Sequence, residues 1–371
     1  MQRPPASPGD PVSAIDTPAL VVDLDPFERN LDLMANAVRG AGVALRPHAK
    51  SHKCPDIAVQ QIARGAIGIC CQKVDEATAF VEAGIRDVLV TNEVVAPVKL
   101  ARLVHLARAA TIGVLIDDAT AVRALSAAAS AADVQIDVLV EIDVGAHRCG
   151  VTPGAAVVPL AQAIAGASGL RFRGLHAYHG GAQHLRSVAE RRAAIGAAAD
   201  FARASHDFLH AAGIACGTIT GAGTGTWQLE RDSGVYTELQ PGSYIFMDAD
   251  YSRNALAPDD HAFEQSLYVV AAVMSVPTRE RAIVDAGLKS FAFDSGPPLV
   301  HAAHGLEYVK ASDEHGVLAV ATAEAQPRPG DRIWLVPGHC DPTVNLYDWI
   351  VGVRGGHVEC LWPVAARGAL G

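Results

Sequence analysis

The chain has 371 residues, 50% apolar and 19% charged, a balance that suits one large domain with a smaller companion and argues against disorder. Its 30 basic and 40 acidic residues leave a net charge of -10, with no basic run to track a phosphate backbone, so nucleic acid is not an expected partner. No apolar run approaches the roughly 20 residues of a membrane span, and the start, with Pro4, Pro5, Pro8 and Pro11, lacks the apolar core of a signal peptide.

An early strand is predicted at 19–24. Eight further β-rich apolar runs follow, at 43–46, 66–70, 87–90, 111–116, 135–143, 171–177, 217–220 and 235–239, with alanine-rich amphipathic segments in most of the gaps, for example 97–109 and 187–212. Alternating strand and helix implies right-handed crossovers and a parallel sheet, and eight repeats is the number that closes a (β/α)8 barrel. An open doubly wound sheet is the competing topology. After about residue 260 the helical repeats stop, and 266–276, 281–286, 316–322, 331–337 and 357–360 read as strands between Gly, Pro and charged turns. The predicted organisation is a barrel over 25–258 and an antiparallel β domain over 259–371 that also takes the segment 1–24. The seven cysteines (Cys54, Cys70, Cys71, Cys149, Cys216, Cys340, Cys360) are odd in number and form no C-x-x-C, which points to a reducing cytoplasm rather than a disulfide framework.

In such a barrel the strand C-terminal ends carry function. They are expected to present Lys50, Gln72, Asn92, Asp117, Arg148, the Tyr178-His179 pair, the Gly221 to Thr226 loop and Tyr244. Lys50 lies in Arg46-Pro47-His48-Ala49-Lys50-Ser51-His52-Lys53, where neighbouring cations weaken its ammonium form and a neutral amine can condense with a carbonyl cofactor. Lys53 competes for that role, and His48 and His52 read as packing or supporting residues. The loop Thr220-Gly221-Ala222-Gly223-Thr224-Gly225-Thr226 follows the seventh strand, where barrels commonly bind phosphate; a flexible turn is the plainer alternative. It lacks the lysine of a nucleotide-binding loop, and no G-x-G-x-x-G marks a dinucleotide site. Arg148 could hold a phenolate or carboxylate, or else tie its loop to Glu141 or Asp143.

His339 and Asp341 in Pro337-Gly338-His339-Cys340-Asp341-Pro342 are two residues apart after a strand, so on an extended segment both would face one way and bind one ion, with Cys340 facing the other. An imidazole and a carboxylate suit Mn²⁺, Mg²⁺, Co²⁺ or Zn²⁺. On spacing alone the pair also occurs by chance. Of His176, His179 and His184 one could serve as a general base.

With these residues in place, the chain resembles the fold-type III pyridoxal phosphate enzymes, the alanine racemase-like barrel family, and within it the D-threonine aldolase and D-serine dehydratase branch. The resemblance rests on Thr17-Pro18-Ala19-Leu20, the 46–53 segment, Asp143-Val144-Gly145-Ala146-His147-Arg148-Cys149-Gly150, the 176–184 segment and Pro337-Gly338-His339-Cys340-Asp341-Pro342-Thr343. It implies that Lys50 holds the cofactor covalently, that Arg148 takes its phenolic oxygen and Tyr178 lines its ring, and that Gly221, Gly223, Thr224, Gly225 and Tyr244 take its phosphate. Gln72 joins this cofactor set, and His339 and Asp341 would bind the metal. The resemblance further implies a His-x-Cys zinc site in the dehydratases of the branch and a His-x-Asp site with Mn²⁺ or Mg²⁺ in the aldolases, and here the second ligand is Asp341. The expected activity is metal-assisted cleavage of a D-3-hydroxy amino acid of the D-threonine type to glycine and an aldehyde, with His184 as base. The alternatives are a D-serine or 3-hydroxyaspartate dehydratase giving ammonia and a keto acid, a 3-hydroxy-D-aspartate aldolase, and a pyridoxal phosphate carrier without turnover. A homodimer is expected by the same resemblance.

Overall fold

The computed structural model describes residues 3–371; the first two residues of the predicted 1–24 segment lie outside the described residues. The Asp23 carboxylate at the end of β1 (Ala19–Asp23) accepts the Asp25 amide and starts α1 (Leu24–Val38). Strand and helix then alternate: β2 (Ala44–Leu45), α2 (Pro55–Ala63), β3 (Ile69–Cys71), α3 (Val74–Glu82), β4 (Asp87–Glu93), α4 (Pro97–Leu106), β5 (Thr111–Ile116), α5 (Ala119–Ala132), β6 (Ile136–Glu141), α6 (Val157–Ala165), β7 (Leu170–His176), α7 (Val188–Ala211), β8 (Thr218–Gly221), α8 (Trp227–Asp232) and β9 (Glu238–Leu239). Among the described residues, eight parallel strands form one sheet in the order β2-β9-β8-β7-β6-β5-β4-β3. The Ile67 and Cys70 amides donate to the Leu45 and Pro47 carbonyls at 2.9 and 2.8 Å, which brings the two ends of that sheet together. This is the predicted barrel, and the open sheet is excluded.

Alternation along the strands builds two apolar layers. Cys70, Leu89, Leu115 and Leu139 pack together inside the barrel, while Ile69, Cys71, Val88, Val90, Val114, Val138 and Val140 join the cluster under the helices. Strands buried on both faces read as continuous apolar runs, which is why they stand out in the sequence.

The remaining strands, β10 (Leu267–Thr278), β11 (Arg281–Val284), β12 (Leu299–Val300), β13 (Leu306–Ala311), β14 (Gly316–Val320), β15 (Arg332–Val336), β16 (Trp349–Arg354) and β17 (His357–Pro363), form a second sheet ordered β13-β14-β11-β10-β1-β16-β17, with β15 pairing β10 and β12. β1 lies inside it, antiparallel to β10 and parallel to β16, so one pair departs from the antiparallel arrangement expected. After β15, the Pro337 and Gly338 carbonyls accept the Ala249 and Asp250 amides, docking this turn on the barrel. Gly338 is required there, since a Cβ would stand 2.3 Å from the Gly296 carbonyl oxygen. The short helix α9 (Cys340–Val344) follows. Among the described residues no helix is long and apolar enough to cross a membrane.

Candidate active site

The C-terminal ends of the barrel strands and the turn before α9 enclose a cavity of about 150 Å³. Lys50 reaches it from a single helical turn, Ala49–Ser51, that follows β2; the Lys50 amide donates to His48 Nδ1 at 3.3 Å. Lys50 Nζ stands 3.9 Å from Asp341 Oδ2. Burial opposes the ammonium form, but the Tyr178 phenol and the Asp341 carboxylate outweigh it and raise the Lys50 pKa. The sequence had suggested a destabilised ammonium among cations; Asp341 and the Tyr178 oxygen across the cavity reverse that expectation. Lys53 is turned away, its Nζ paired with Glu76 in the core. His48, pushed well below its usual pKa by burial and by Lys50, lines the cavity with Nε2 at 2.9 Å from Thr91 Oγ1. His52 is enclosed, and burial takes it down to about 3.

Gln72, Arg148 and Tyr178 line the same cavity. Gln72 Nε2 donates to the Thr91 carbonyl at 3.0 Å. The Arg148 guanidinium lies 5.9 Å from the Tyr178 ring centre and 3.7 Å from Glu141 Oε1, so it faces the cavity and ties its loop to a strand acid at once. From the glycine loop, Ala222, Gly223 and Thr224 reach the cavity. The Thr224 hydroxyl is buried without a hydrogen-bond partner. A Cβ on Gly223 would stand 2.5 Å from Gln183 Oε1, so the loop can lie this close only with glycine there.

Three expected cofactor contacts do not reach the cavity. Gly221 belongs to β8 and backs onto the Ala177 carbonyl, 2.5 Å from where its Cβ would be. Gly225 packs on Gln183 and opens onto a neighbouring groove with Trp227. Tyr244 is 1% exposed; its hydroxyl accepts from Gln61 Nε2 at 3.1 Å and its ring packs on Phe263. The helical turn Ser243–Ile245 rotates Tyr244 into the core and Ser243 toward the cavity, where Tyr251 supplies the aromatic surface instead.

His339 and Asp341 both face the cavity, though not from an extended strand: His339 precedes α9 and Asp341 lies in its first turn, with Cys340 fully buried between them. Asp294 Oδ2 lies 2.6 Å from His339 Nδ1. Burial resists protonation of His339, but Asp341 and Asp294 outweigh it and raise its pKa. Ser243 Oγ donates to Asp341 Oδ1 at 3.0 Å. His184 Nδ1 sits 2.6 Å from Asp250 Oδ2, its ring stacked on Tyr251, and Arg186 holds the other Asp250 oxygen. Burial works against the Asp250 carboxylate, yet Arg186 and His184 keep its pKa below the ordinary range. His176 also lines the cavity, 3.2 Å from Gln240 Oε1, whereas His179 packs against Gly145.

These residues suit a phosphorylated aldehyde cofactor beside a divalent ion. An amine, a guanidinium and a phenol border one space, a buried hydroxyl there lacks a partner, and the outer nitrogen of a candidate metal-binding histidine is fixed by a carboxylate, as ligating histidines usually are. Asp250, Asp294, Ser243 and Tyr251 were not singled out in the sequence. Ser243 stands beside the expected Tyr244 after β9, and Asp250, Asp294 and Tyr251 lie beyond the barrel strand ends, brought in by the folded turns.

A family model described as "Alanine racemase, N-terminal domain" matches residues 22–250, and one described as "Putative serine dehydratase domain" matches residues 266–353. The chain belongs to the alanine racemase-like family of fold-type III pyridoxal phosphate enzymes. It is 52% identical to a D-threonine aldolase of Arthrobacter sp over 365 residues, 98% of this chain and 96% of the relative. It is 46% identical over 370 residues to a 3-hydroxy-D-aspartate aldolase of Paracoccus denitrificans (strain Pd 1222), covering 98% and 95%. The crystal structure of D-threonine aldolase from Filomicrobium marinum superposes with a TM-score of 0.98 at 50% identity, covering 99% of this chain and all of that one. Within the family the chain therefore falls in the D-threonine aldolase and D-serine dehydratase branch.

Proposed function

We propose that this chain is a pyridoxal phosphate- and divalent-metal-dependent aldolase that splits D-3-hydroxy amino acids of the D-threonine type into glycine and an aldehyde. The observation that carries the reading is the meeting of Lys50 with His339 and Asp341, residues from opposite ends of the chain, in one cavity beside the unpartnered Thr224 hydroxyl. Lys50 would hold the cofactor, Arg148 its phenolic oxygen, and Gly223 with Thr224 its phosphate, while Tyr178 and Gln72 would border the ring. His339 and Asp341 would hold the cation, and a hard carboxylate favours Mn²⁺ or Mg²⁺. When bound, the cofactor supplies an electron sink for the pair released at Cα; the cation supplies a charge that lowers the pKa of a ligated hydroxyl.

With Nδ1 engaged by Asp250, His184 has Nε2 left to take the proton of the substrate 3-hydroxyl. Asp250 stabilises the imidazolium that results, and Tyr251 covers one face of the ring. Ser243 fixes one Asp341 oxygen so that the other stays turned toward Lys50. Loss of the hydroxyl proton then drives cleavage of the Cα–Cβ bond: the aldehyde leaves with the oxygen, and Cα, which keeps the electron pair, takes up a proton to complete glycine. Among the described lining residues the permanent cations are Lys50 and Arg148, both engaged with cofactor in this reading. That favours an uncharged substituent at Cβ over the second carboxylate of 3-hydroxyaspartate.

Incubation with D-threonine and Mn²⁺ should give acetaldehyde and glycine in equal amounts. Finding 2-oxobutyrate and ammonia in their place would assign a dehydratase. A cytoplasmic homodimer completes the proposal: the cysteines are unpaired, as in a reducing compartment, and the mass in solution should be twice 38.7 kDa.

A further inference from the structure

Outside the cavity, on the same barrel rim, Glu93 ends β4, Asp117 follows β5 and Cys149 lies in the loop after β6; these three place a ligand atom each within 4.8 Å of one another. Glu141, the last residue of β6, adds an independent observation. Its side chain is 5% exposed and its carboxyl shares a hydrogen bond with that of Glu93; beyond that mutual contact, Glu141 Oε2 and Glu93 Oε1 are buried with no partner. Two such oxygens in one dry place are costly unless a proton or a cation lies with them. The other Glu141 oxygen is accounted for, 3.7 Å from both Arg148 Nη2 and His176 Nδ1. Asp117 is already oriented, its Oδ2 accepting the Gly150 amide at 3.0 Å.

We infer that Glu93, Asp117 and Cys149, with the free oxygen of Glu141 behind them, form a second cation site, separate from His339 and Asp341, that takes Zn²⁺ or an ion of similar softness. The donor set decides the class of ion. Carboxylates alone would suit Mg²⁺ or Mn²⁺, but a thiolate selects zinc, which accepts sulfur and carboxylate oxygen together in four-coordinate sites. The thiol proton leaves to solvent as the sulfur–metal bond forms, so no oxidant or reductant is needed.

The test is made on the holoenzyme, stripped of metal by dialysis, loaded with zinc, and read by elemental analysis and zinc-edge X-ray absorption. About two zinc ions per chain are expected in the wild type, with a sulfur scatterer at about 2.3 Å. Cys149→Ser and Glu93→Gln should each bind about one and Cys149→Ser should lack the sulfur shell, whereas His339→Ala should bind about one and keep it. Both rim substitutions keep the size of the side chain, and unchanged circular dichroism would show that lost metal is not lost fold. Wild-type zinc without a sulfur scatterer, or a sulfur shell that survives Cys149→Ser, would overturn the site and leave a proton shared by Glu93 and Glu141 in its place.

Discussion

In the proposed mechanism His184 carries the proton and Asp250, 2.6 Å away, only holds the ring, so substitution can separate the two. His184→Asn should lower kcat by about 10²- to 10⁴-fold with the cofactor colour intact. Asp250→Asn should cost less, since the imidazole remains but can turn; undiminished turnover in His184→Asn would place the base elsewhere. Glu230 offers a pH test. It lies under the glycine loop, 1% exposed, with Thr226 Oγ1 donating to its Oε1 at 2.8 Å and Oε2 unpartnered. Burial pushes its pKa up to about 7. A raised carboxyl pKa means that the folded state keeps the proton longer than the unfolded chain. Stability is therefore lost as pH rises from the ordinary glutamate range through about 7, and above that by an amount on the order of 3 kcal/mol. Glu230→Gln removes that cost, so its melting temperature should exceed the wild-type value at pH 8 and converge with it near pH 5; parallel melting curves would refute this. That Lys50, Arg148, Tyr178, His184, His339 and Asp341 border one cavity was legible because their residue types follow strand ends in recognisable segments. Tyr251 in place of Tyr244 was not, since two short helical turns after β9 decide which aromatic faces the cavity.

At the scale of elements, β7 and β8 meet more closely than side chains allow. Gly174, at a φ of 152°, would carry a Cβ 1.8 Å from the Thr218 carbonyl oxygen. Gly174→Ala should therefore cost about 3 kcal/mol or more. Gly196 in α7 has nothing within 4 Å of its Cβ position, so Gly196→Ala should stabilise by roughly 0.5–1 kcal/mol. Thermal melting of the pair checks both, and equal effects would sink the packing explanation. The barrel strands were legible because each buries both faces. β13 was missed because it is an edge strand that exposes Glu307 and Lys310 and buries only Tyr308 well, and β16 because Gly352 interrupts its apolar run. The two-residue β12 is too short to signal itself.

Across the whole molecule, the proposed cofactor contacts belong to the barrel and the proposed metal ligands to the turn after β15, and neither set lies in the apolar core. Chelation should therefore abolish cleavage while far-ultraviolet circular dichroism and the cofactor absorbance persist, and Mn²⁺ should restore turnover. Colour lost together with metal would contradict that division. The second sheet was legible in part: its strands follow turn chemistry, but the place of β1 between β10 and β16 depends on pairing across the length of the chain. That place has a consequence for biosynthesis. A polypeptide emerging from the ribosome can close its barrel early, but β1 must wait for β16, and His339 and Asp341 also arrive late. On the proposed reading, a nascent chain is then a cofactor-ready shell without its metal grip, and catalytic competence is among the last things translation delivers.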